Sequence, residues 1–581
     1  MNNPRLFLWV ALALILFVNY QTWMKDYGAP PASTQTTAAG SGAASDLGAT
    51  APQVRAPGAA GSAAPTAAAA PAAAPVAPTP GAATPAGATP AGATPAAVDT
   101  AADAGSITVR TDVLDLSIGL RGGELDRADI LLYPKVKNEP GVPVRLFRNE
   151  GANALYVMQT GLAGDATAGA RPTHLAVFRS SFTSFTMLDG VNELRVPLTW
   201  TSDDGVSVTK TFIFRRGSYR VDLEYSVNNT GSAPWAAASY AQIKHDMPPV
   251  ERSYLNVESY SSEGPAVYDG TKYRKLKIDN ADDAKLSIDI QHGWLAAIQH
   301  HFVSALVPQA DAAYHYSMQV RGHEYLATAM GPVQTVAPGT TGTFKETLFV
   351  GPKLQKQLEQ IHPELSRVAD YGWLTMLSRP LFWLMQNVHQ LFGNWGWTIV
   401  FTTLLLKLLF YPLSEASGKS MAKMRTLGPR IKNLQDTYKD DREKLGKAMM
   451  ELYKKEKINP AAGCLPMLIQ MPVFLAFYWV LLETVEMRQA PFMGWIQDIS
   501  SRDPFFILPA LMAGAMFLQY KINPKPTDEV QAKVMMILPL AMSVTFAFFP
   551  AGLVLYYAVN TLLGVLQQWN INRRIAIAAA R

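Results

Sequence analysis

A single lysine interrupts a long apolar run, and it is the residue of the chain most suited to a chemical role. Residues 397–413 read WTIVFTTLLLKLLFYPL, and Lys407 is the one side chain in this run that is charged at neutral pH. At 1.5 Å per residue, a helix would place Lys407 roughly 15 Å from Trp397 and roughly 9 Å from Leu413. The run is long enough to approach a membrane crossing, with the charge well inside it.

Two roles for Lys407 follow from this depth. A lysine inside a hydrocarbon core of about 30 Å costs on the order of 2.5–3.5 kcal/mol, and such residues usually face water or a partner. Lys407 would then act as a fixed positive charge that attracts acidic groups. Alternatively, its stem snorkels to the nearer membrane face and anchors the helix. The helix alone leaves the two roles equally open.

The composition excludes several kinds of site. The chain has 581 residues, is 49% hydrophobic and carries a formal net charge of +5, which indicates several domains and an apolar carboxyl-terminal third. Cys464 is the single cysteine, so an internal disulfide cannot form. No zinc spacing, phosphate-binding glycine loop or G-x-S-x-G elbow occurs, and the histidine spacing matches no metal signature. We predict no catalytic residue, no metal and no cofactor.

The amino-terminal segment is typical of an anchor followed by a tether. Residues 6–20 are almost wholly apolar, with Arg5 before them and Lys25 after them. This pattern predicts an uncleaved span with a cytoplasmic amino terminus, and a cleaved signal peptide is the alternative. Residues 28–105 are rich in Ala, Pro, Thr and Gly and contain no aromatic residue, a composition that predicts a disordered linker.

The next region alternates in the manner of β-strands. Apolar and polar side chains alternate over residues 219–227, which indicates a half-buried antiparallel strand. Residues 206–215 precede it across an Arg-Gly-Ser turn and complete a hairpin. Similar runs recur up to about residue 352, so we predict a large all-β sandwich. Residues 294–306 are predicted to form a short helix that covers it.

A polar segment separates the Lys407 run from later apolar runs. Residues 414–463 carry 12 Lys or Arg against 7 Asp or Glu, an excess that predicts a cytoplasmic location. Leu445, Met449, Leu452 and Tyr453 follow the stripe of an amphipathic helix, with a capping box predicted from Asp440. Because Gly428 and Pro429 interrupt the preceding helix, we expect a helical hairpin.

Four further apolar runs complete the prediction of six spans. They cover residues 464–482, 505–520, 534–549 and 553–569. The predicted fold class is a multi-domain membrane protein with an α-helical core and an all-β periplasmic sandwich. The predicted domains are an anchor (1–27), a linker (28–105), the sandwich (106–355), an interfacial amphipathic segment (356–392), a five-span core (393–572) that contains the hairpin (414–463), and a tail (573–581).

Several motifs resemble the YidC family of membrane protein insertases. The motifs are NPAAGCLPMLIQMPVF at 459–474, MAKM at 421–424, EMRQAPF at 486–492, DPFFILP at 503–509 and GLVLYY at 552–557. The run GWLAAIQH at 293–300 resembles the periplasmic sandwich of the Gram-negative members. The Ala/Pro-rich linker departs from the family pattern.

The resemblance implies a groove that is open to the cytoplasm and to lipid, with one basic residue inside it. Lys407 matches a position that usually holds arginine, so the charge is kept while the planar bidentate fork is lost. By the same match, the resemblance implies groove roles for the polar or aromatic Thr403, Gln470, Tyr556 and Tyr557. It further implies that Met471 and Phe474 line the path of an incoming substrate helix.

The function that the resemblance implies is insertion and folding of nascent inner-membrane proteins, alone or with the secretion translocon, without enzymatic chemistry. The implied partners are nascent membrane proteins, lipid, the translocon and the ribosome through basic cytoplasmic regions, with no specific nucleic-acid sequence. Both termini are expected in the cytoplasm of a bacterial inner-membrane protein.

Two other classes of function are weaker interpretations. A secondary transporter with Lys407 as its anion site would need repeated, discontinuous helices, and we find no such internal symmetry. A carbohydrate-active periplasmic enzyme would need paired carboxylates or a histidine-centred site. It would also leave five spans unexplained.

Overall fold

The chain contains a β-rich unit and a helical unit, seen in a computed structural model. The structure describes residues 47–54, 93–95, 105–137, 139, 141–150, 155–165, 169–248, 263–308, 312–438, 441–456, 465–522 and 529–580. Of these, residues up to Asp370 together with Glu483–Glu486 form the β unit, and the other residues form the helical unit. The predicted anchor and most of the predicted linker lie outside the described residues.

Two sheets enclose the core of the β unit, so the predicted sandwich is confirmed. Among the described residues, one sheet has 12 strands in the order β1-β8-β2-β3-β4-β7-β12-β19-β18-β15, with β5 beside β4 and β6 beside β7. The other has 8 strands in the order β14-β13-β16-β17-β20-β11-β10-β9. The strands are β1 Ala93–Pro95, β2 Ser106–Arg110, β3 Leu114–Gly119, β4 Glu124–Pro134, β5 Pro143–Arg145, β6 Arg148–Asn149, β7 Leu155–Ala163, β8 Phe182–Thr186, β9 Glu193–Thr201, β10 Val206–Arg215, β11 Arg220–Asn229, β12 Trp235–Asp246, β13 Gly264–Tyr268, β14 Tyr273–Lys275, β15 Ser287–Gln291, β16 Trp294–Gln299, β17 Phe302–Val307, β18 Ala313–Arg321, β19 Glu324–Val336 and β20 Thr340–Pro352.

The hairpin predicted from alternation is present. Strands β10 and β11 pair antiparallel, with Val208 opposite Val227 and Phe212 opposite Leu223. These apolar side chains are buried, while Asp222, next to Leu223 in the strand, is partly exposed. The period of two in residues 219–227 and the turn before it therefore identified the hairpin.

The predicted helix at residues 294–306 is wrong. This stretch forms strands β16 and β17, which pair antiparallel around His300 and His301. Nearly every residue of both strands is buried on both faces. A strand buried on both faces has a continuous apolar sequence without alternation, and periodicity cannot distinguish it from a buried helix.

Helices make up the carboxyl-terminal part of the chain. The described helices are α1 Gln355–Ile361, α2 Thr375–Phe392, α3 Trp395–Leu409, α4 Tyr411–Thr426, α5 Gly428–Thr437, α6 Arg442–Lys455, α7 Leu465–Glu483, α8 Ile507–Ile522, α9 Glu529–Phe546 and α10 Ala551–Ala580. Short 3-10 turns occupy Leu365–Val368, Gly372–Leu374 and Val485–Met487. The predicted helical region is therefore present.

Helix lengths in the described residues do not by themselves give a count of membrane crossings. No single described helix combines the length and the apolar content of a complete crossing. Helices α3 and α4 reach that threshold only together, as a pair bent by 58°.

The polar hairpin forms from α5 and α6, with one change at its cap. Met449, Leu452 and Tyr453 of α6 pack against Leu427 and Ile431. The predicted cap, Asp440, lies outside the described residues. The side chain of Asp441 occupies the N-cap instead, where it accepts a hydrogen bond of 3.0 Å from the Lys444 backbone amide. Two adjacent aspartates made the sequence signal ambiguous by one residue.

A buried aspartate fixes the loop that leads into α8. Asp503 is 1% exposed. One of its carboxylate oxygens accepts hydrogen bonds from the Phe505 amide at 3.0 Å and the Trp495 indole N–H at 3.1 Å. The other accepts from the Leu508 amide at 2.7 Å, which caps the helix.

Replacing this carboxylate should destabilise the helical unit. We expect Asp503→Ala to lower the free energy of unfolding by about 2 kcal/mol, because one buried and two partly buried donors lose their acceptor. Thermal unfolding of the purified protein, followed by tryptophan fluorescence, measures the effect. The control is Asp498→Ala in the same loop, where the carboxylate accepts hydrogen bonds from Ser500 near the surface. Equal losses in both variants would contradict the capping role.

A carboxyl group is also buried in the β unit. Glu346 of β20 is 5% exposed and accepts hydrogen bonds from the Ser239 hydroxyl and, at 3.2 Å, from the Tyr314 hydroxyl. Burial raises the pKa of Glu346 to about 7, against the opposing effect of the two hydroxyl donors. Between its unfolded and folded pKa values, the folded state holds a proton that the unfolded state has released. Stability therefore falls as pH rises through this window.

Neutralising Glu346 should remove this pH dependence. We expect Glu346→Gln to raise the melting temperature of the β unit at pH 8 and to change it little at pH 5. The amide keeps an acceptor for Ser239 and cannot ionise. Calorimetry at the two pH values tests the prediction, with Glu224→Gln on the neighbouring strand β11 as the matched control. A gain that is equal at both pH values would show that ionisation of Glu346 is not the cause.

Candidate functional site

Helix α3 carries the charge and begins at a well-defined cap. The Asn394 side chain accepts a hydrogen bond of 3.1 Å from the Trp397 amide and donates to the backbone oxygens of Pro491 and Phe492. Gly396 lies so close to Phe492 that a Cβ atom would come within 2.0 Å of its ring. The start of α3 is therefore fixed against the loop after α7, and this fixes where its last turn lies.

Lys407 lies in that last turn and lines a cavity. The cation is near the carboxyl end of α3, where the helix dipole favours positive charge. The cavity has a volume of about 40 Å³, and cavities above roughly 10–15 Å³ can hold water where polar partners are present. Its lining comes from α3, α4, α7 and α10 and comprises Thr403, Leu406, Lys407, Phe410, Leu413, Ser414, Ile469, Gln470, Val473, Tyr556 and Asn560.

No acidic group neutralises Lys407 in the part of the chain that the structure describes. The cation takes part in none of the ion pairs or hydrogen bonds there. The cation lies beside Gly564 of α10, where an added Cβ atom would be 3.5 Å from Lys407 Nζ. The same Cβ position would be 3.7 Å from the side-chain nitrogen of Gln519 in α8. The absence of a side chain at Gly564 leaves room beside the ammonium group.

Polar side chains share the lining of the cavity with the cation. The Gln470 side-chain amide donates a hydrogen bond to the Asn560 side-chain oxygen, linking α7 to α10. Thr403 is fully buried, and its hydroxyl donates to the Ile399 carbonyl at 2.6 Å. Its hydrogen is used in that bond, so the oxygen can act only as an acceptor for a further partner. This lining suits a hydrated cation.

Aromatic rings form the wall behind these polar groups. Tyr556 is 2% exposed and stacks on Phe477 with ring centroids 4.2 Å apart. Phe474 stacks on Tyr556 at 6.2 Å and meets Tyr557 edge-on at 5.8 Å. The aromatic cluster fixes α7 against α10 and positions Gln470 next to Asn560.

The structure brings some of the predicted site residues together and separates others. Lys407, Thr403, Gln470 and Tyr556 line one cavity. Tyr557 and Phe474 lie in the aromatic wall, and Met471 is 52% exposed. The sequence reasoning missed Asn560, Ser414 and Gln519. Asn560 follows Tyr556 by one helical turn, so the i, i+4 spacing could have identified it.

The described residues offer no metal centre. No group of three or more His, Cys, Asp or Glu side chains among them is arranged to hold a metal ion. The lining of the Lys407 cavity offers a cation together with hydroxyl and amide groups, which suit electrostatic attraction and hydrogen bonding.

Comparison with known proteins identifies both halves of the chain. The model of the YidC periplasmic domain matches residues 106–384, and that of the 60Kd inner membrane protein family matches residues 387–578. The membrane protein insertase YidC of Thioalkalivibrio sulfidiphilus is 43% identical, with all of both chains covered. That of Nitrosococcus oceani is 42% identical, with 99% of each chain covered.

A solved structure of an active YidC insertase shares 18% identity. It covers 82% of this chain and 94% of its own, at a TM-score of 0.35 that is too low to support a detailed comparison. The family models and the full-length relatives carry the assignment. The chain belongs to the YidC family of membrane protein insertases.

Proposed function

We propose that this protein inserts nascent membrane proteins into the bacterial inner membrane and helps them fold, with the Lys407 cavity as the polar part of the route. The observation that carries the proposal is an ammonium group that no carboxylate among the described residues neutralises, in a cavity whose lining includes hydroxyl and amide groups. A fixed cation in such surroundings attracts an acidic segment, and hydration lowers the cost of moving polar residues through the apolar unit. No covalent step is required.

The route begins at the polar hairpin. Helices α5 and α6 pair through a small apolar cluster, and an ion pair of 2.8 Å joins Arg430 to Glu456. The basic excess of residues 414–463 suits contact with the ribosome and with emerging chains. A hydrophobic segment would pass from this hairpin along the face of α7 that exposes Met471. Phe474 and Tyr557 would form the wall of the route, and the segment would leave sideways into lipid.

Burial of apolar substrate surface supplies the free energy. Transfer of apolar area from water into lipid is worth about 25 cal/mol per Å², so a 20-residue span needs no chemical fuel. The translocated polar tail is the costly part, and Lys407 acts on this part. A secretion translocon would be a partner for substrates whose translocated parts are too long for this route.

The proposed topology has six spans with both termini in the cytoplasm. One span is the anchor at residues 6–20, and five come from α3, α7, α8, α9 and α10. Together α3 and α4 have the length and apolar content of a crossing. Short spans are accommodated where the bilayer thins or where neighbouring helices shelter them. The β unit would then lie in the periplasm, and α2 would lie in the outer interface, with its buried Leu381, Phe382 and Met385 facing the unit's own core.

The charge of Lys407 should matter in proportion to the acidity of the translocated tail. We expect Lys407→Arg to retain insertion and Lys407→Glu to slow insertion of an acidic-tailed substrate roughly tenfold. A charge pair at 4 Å is worth about 1–4 kcal/mol in wet surroundings, and 1.36 kcal/mol is tenfold in rate. The measurement is the insertion rate of one model substrate with acidic, neutral or basic tails, at equal protein levels.

Two control variants separate the electrostatic effect of Lys407 from a general disturbance of the structure. Lys521→Glu reverses an exposed lysine near the end of α8, outside the cavity lining, and should leave the tail dependence unchanged. Gly564→Leu keeps the charge but fills the space beside it, so all three tails should slow together. If Lys407→Glu treats the three tails alike, Lys407 is an anchor and the electrostatic role is wrong.

The proposed orientation has its own test. In a Cys464→Ser background, a cysteine at the exposed Gln497, between α7 and α8, should react with an impermeant thiol reagent in intact cells. A cysteine at the exposed Glu451 on α6 should react only after lysis. The labelled fraction, read by gel shift, gives the result. The reverse pattern would overturn the orientation.

A further inference from the structure

A row of polar side chains crosses four neighbouring strands of the β unit. The row is Glu124 of β4, Gln159 of β7, Gln242 of β12 and Thr328 of β19, and we call it the polar row. Gln242 lies opposite both Gln159 and Thr328 in the strand register. Thr328 donates to Gln242 at 3.4 Å, Gln242 to Gln159 at 2.6 Å and Gln159 to Glu124 at 2.7 Å.

The polar row lies on the face of the sheet that points away from the sandwich core. Successive side chains of a strand point to opposite faces, and the neighbours Met158, Ala241 and Ala327 belong to the core. The row therefore belongs to the outer face. Such a face would normally be solvated, yet Gln159 is 8% exposed and Gln242 1% exposed. Something covers the row.

Part of that cover is a piece of the predicted linker. Residues 47–54 read LGATAPQV and lie against the β unit. A Cβ atom on Gly48 would lie 3.4 Å from Gln159 Oε1, 3.7 Å from Gln242 Nε2 and 3.9 Å from Leu326 Cδ1. Gly48 has φ +77, a left-handed conformation that favours glycine over other residues. The contact is therefore specific to a glycine-containing segment.

A buried histidine forms a hydrogen bond with the backbone of this segment. His174 is 2% exposed, and its Nε2 lies 2.7 Å from the Gly48 carbonyl oxygen. A carbonyl oxygen only accepts, so Nε2 carries the proton. Nδ1 then accepts from the Tyr240 hydroxyl at 2.6 Å, and that hydroxyl accepts from the His174 amide at 2.9 Å. His174 is thus held as a donor aimed at a main-chain carbonyl.

We propose that the polar row and His174 form a peptide-binding site on the β unit, and that residues 47–54 occupy it in cis as a releasable clasp. The site takes an uncharged segment with a left-handed glycine whose carbonyl accepts from His174. Release is easy because no residue of the clasp is fully buried and Ala49, Thr50 and Gln53 are exposed. The uncovered row is polar, so water can solvate it when the clasp leaves.

Occupation in cis determines how the site can be tested. A tethered segment competes at an effective concentration in the millimolar range, so an added peptide binds poorly while the clasp is in place. The triple variant Leu47→Asp, Gly48→Val, Val54→Asp keeps the chain length and should open the site. The probe is a fluorescent peptide with the sequence of residues 45–55, added to the full-length protein in detergent and followed by anisotropy.

The expected result is saturable binding to the triple variant and at least tenfold weaker binding to the unaltered protein. A probe with valine in place of its glycine should not bind. In the triple background, His174→Phe and Gln242→Leu should each weaken binding at least tenfold. Gln319→Leu, an exposed position on β18 of the same sheet, should not. Thermal unfolding shows whether each variant is folded. If His174→Phe does not fold, the result for Gln242→Leu tests the proposal.

Three outcomes would overturn the proposal. The triple variant could fail to bind the probe at millimolar concentration, or the unaltered protein could bind it equally well. Binding that survives both His174→Phe and Gln242→Leu would place the peptide elsewhere. None of these readouts uses insertion activity, so they are independent of the role proposed for Lys407.

Discussion

An ammonium group that no carboxylate of the described residues neutralises is the constraint on which the helical unit depends. A charge inside a membrane would cost on the order of 2.5–3.5 kcal/mol unless it were hydrated or paired. Among the described residues Lys407 has no ion pair, so its hydration must come from the cavity. The Thr403 hydroxyl donates its hydrogen to the Ile399 carbonyl, so it can act only as an acceptor for a further partner. The lining thus favours water around the cation.

The remaining helices keep this cavity open and in place. Gly396 allows α3 to approach the loop that contains Phe492, and the buried Asp503 holds the following loop around Trp495. Aromatic stacking between Phe477 and Tyr556 joins α7 to α10. A collapse of the two helices onto Lys407 would bury the charge and disturb this stack. Packing outside the cavity therefore opposes the closure that the apolar sequence would otherwise favour.

Local patterns carried much of the fold and part of the site. Alternation identified β10 and β11, because one face of that hairpin is buried and the other is partly exposed. The same reasoning failed at β16 and β17, where burial on both faces removes the alternation. The family resemblance, rather than a local pattern, pointed to Thr403, which lines one cavity with Lys407. The contributions of Asn560, Gln519 and Gly564 depend on how α8 and α10 meet α3, which no local pattern encodes.

A second buried lysine, Lys210, has a structural role, and its hydrogen bonds can be compared with the surroundings of Lys407. Lys210 is fully buried in the β unit, and desolvation holds its pKa well below the usual value. Its ammonium donates to the carbonyls of Gly122, Gly123 and Thr160 at 2.6, 3.1 and 3.2 Å. With three donors and three acceptors its hydrogen-bonding capacity is exhausted, so it holds the Gly122 turn and can do little else.

Lys407 has the same side chain in the opposite situation. Its hydrogen-bond donors find no protein acceptor in the described residues, and the space beside it comes from a glycine. An ammonium with unused donors in a low-dielectric unit interacts strongly with whatever polar group arrives. Burial alone therefore does not distinguish the two lysines. The satisfaction of their donors does, and by that criterion Lys407 is the residue that we propose as the cation met by a passing substrate.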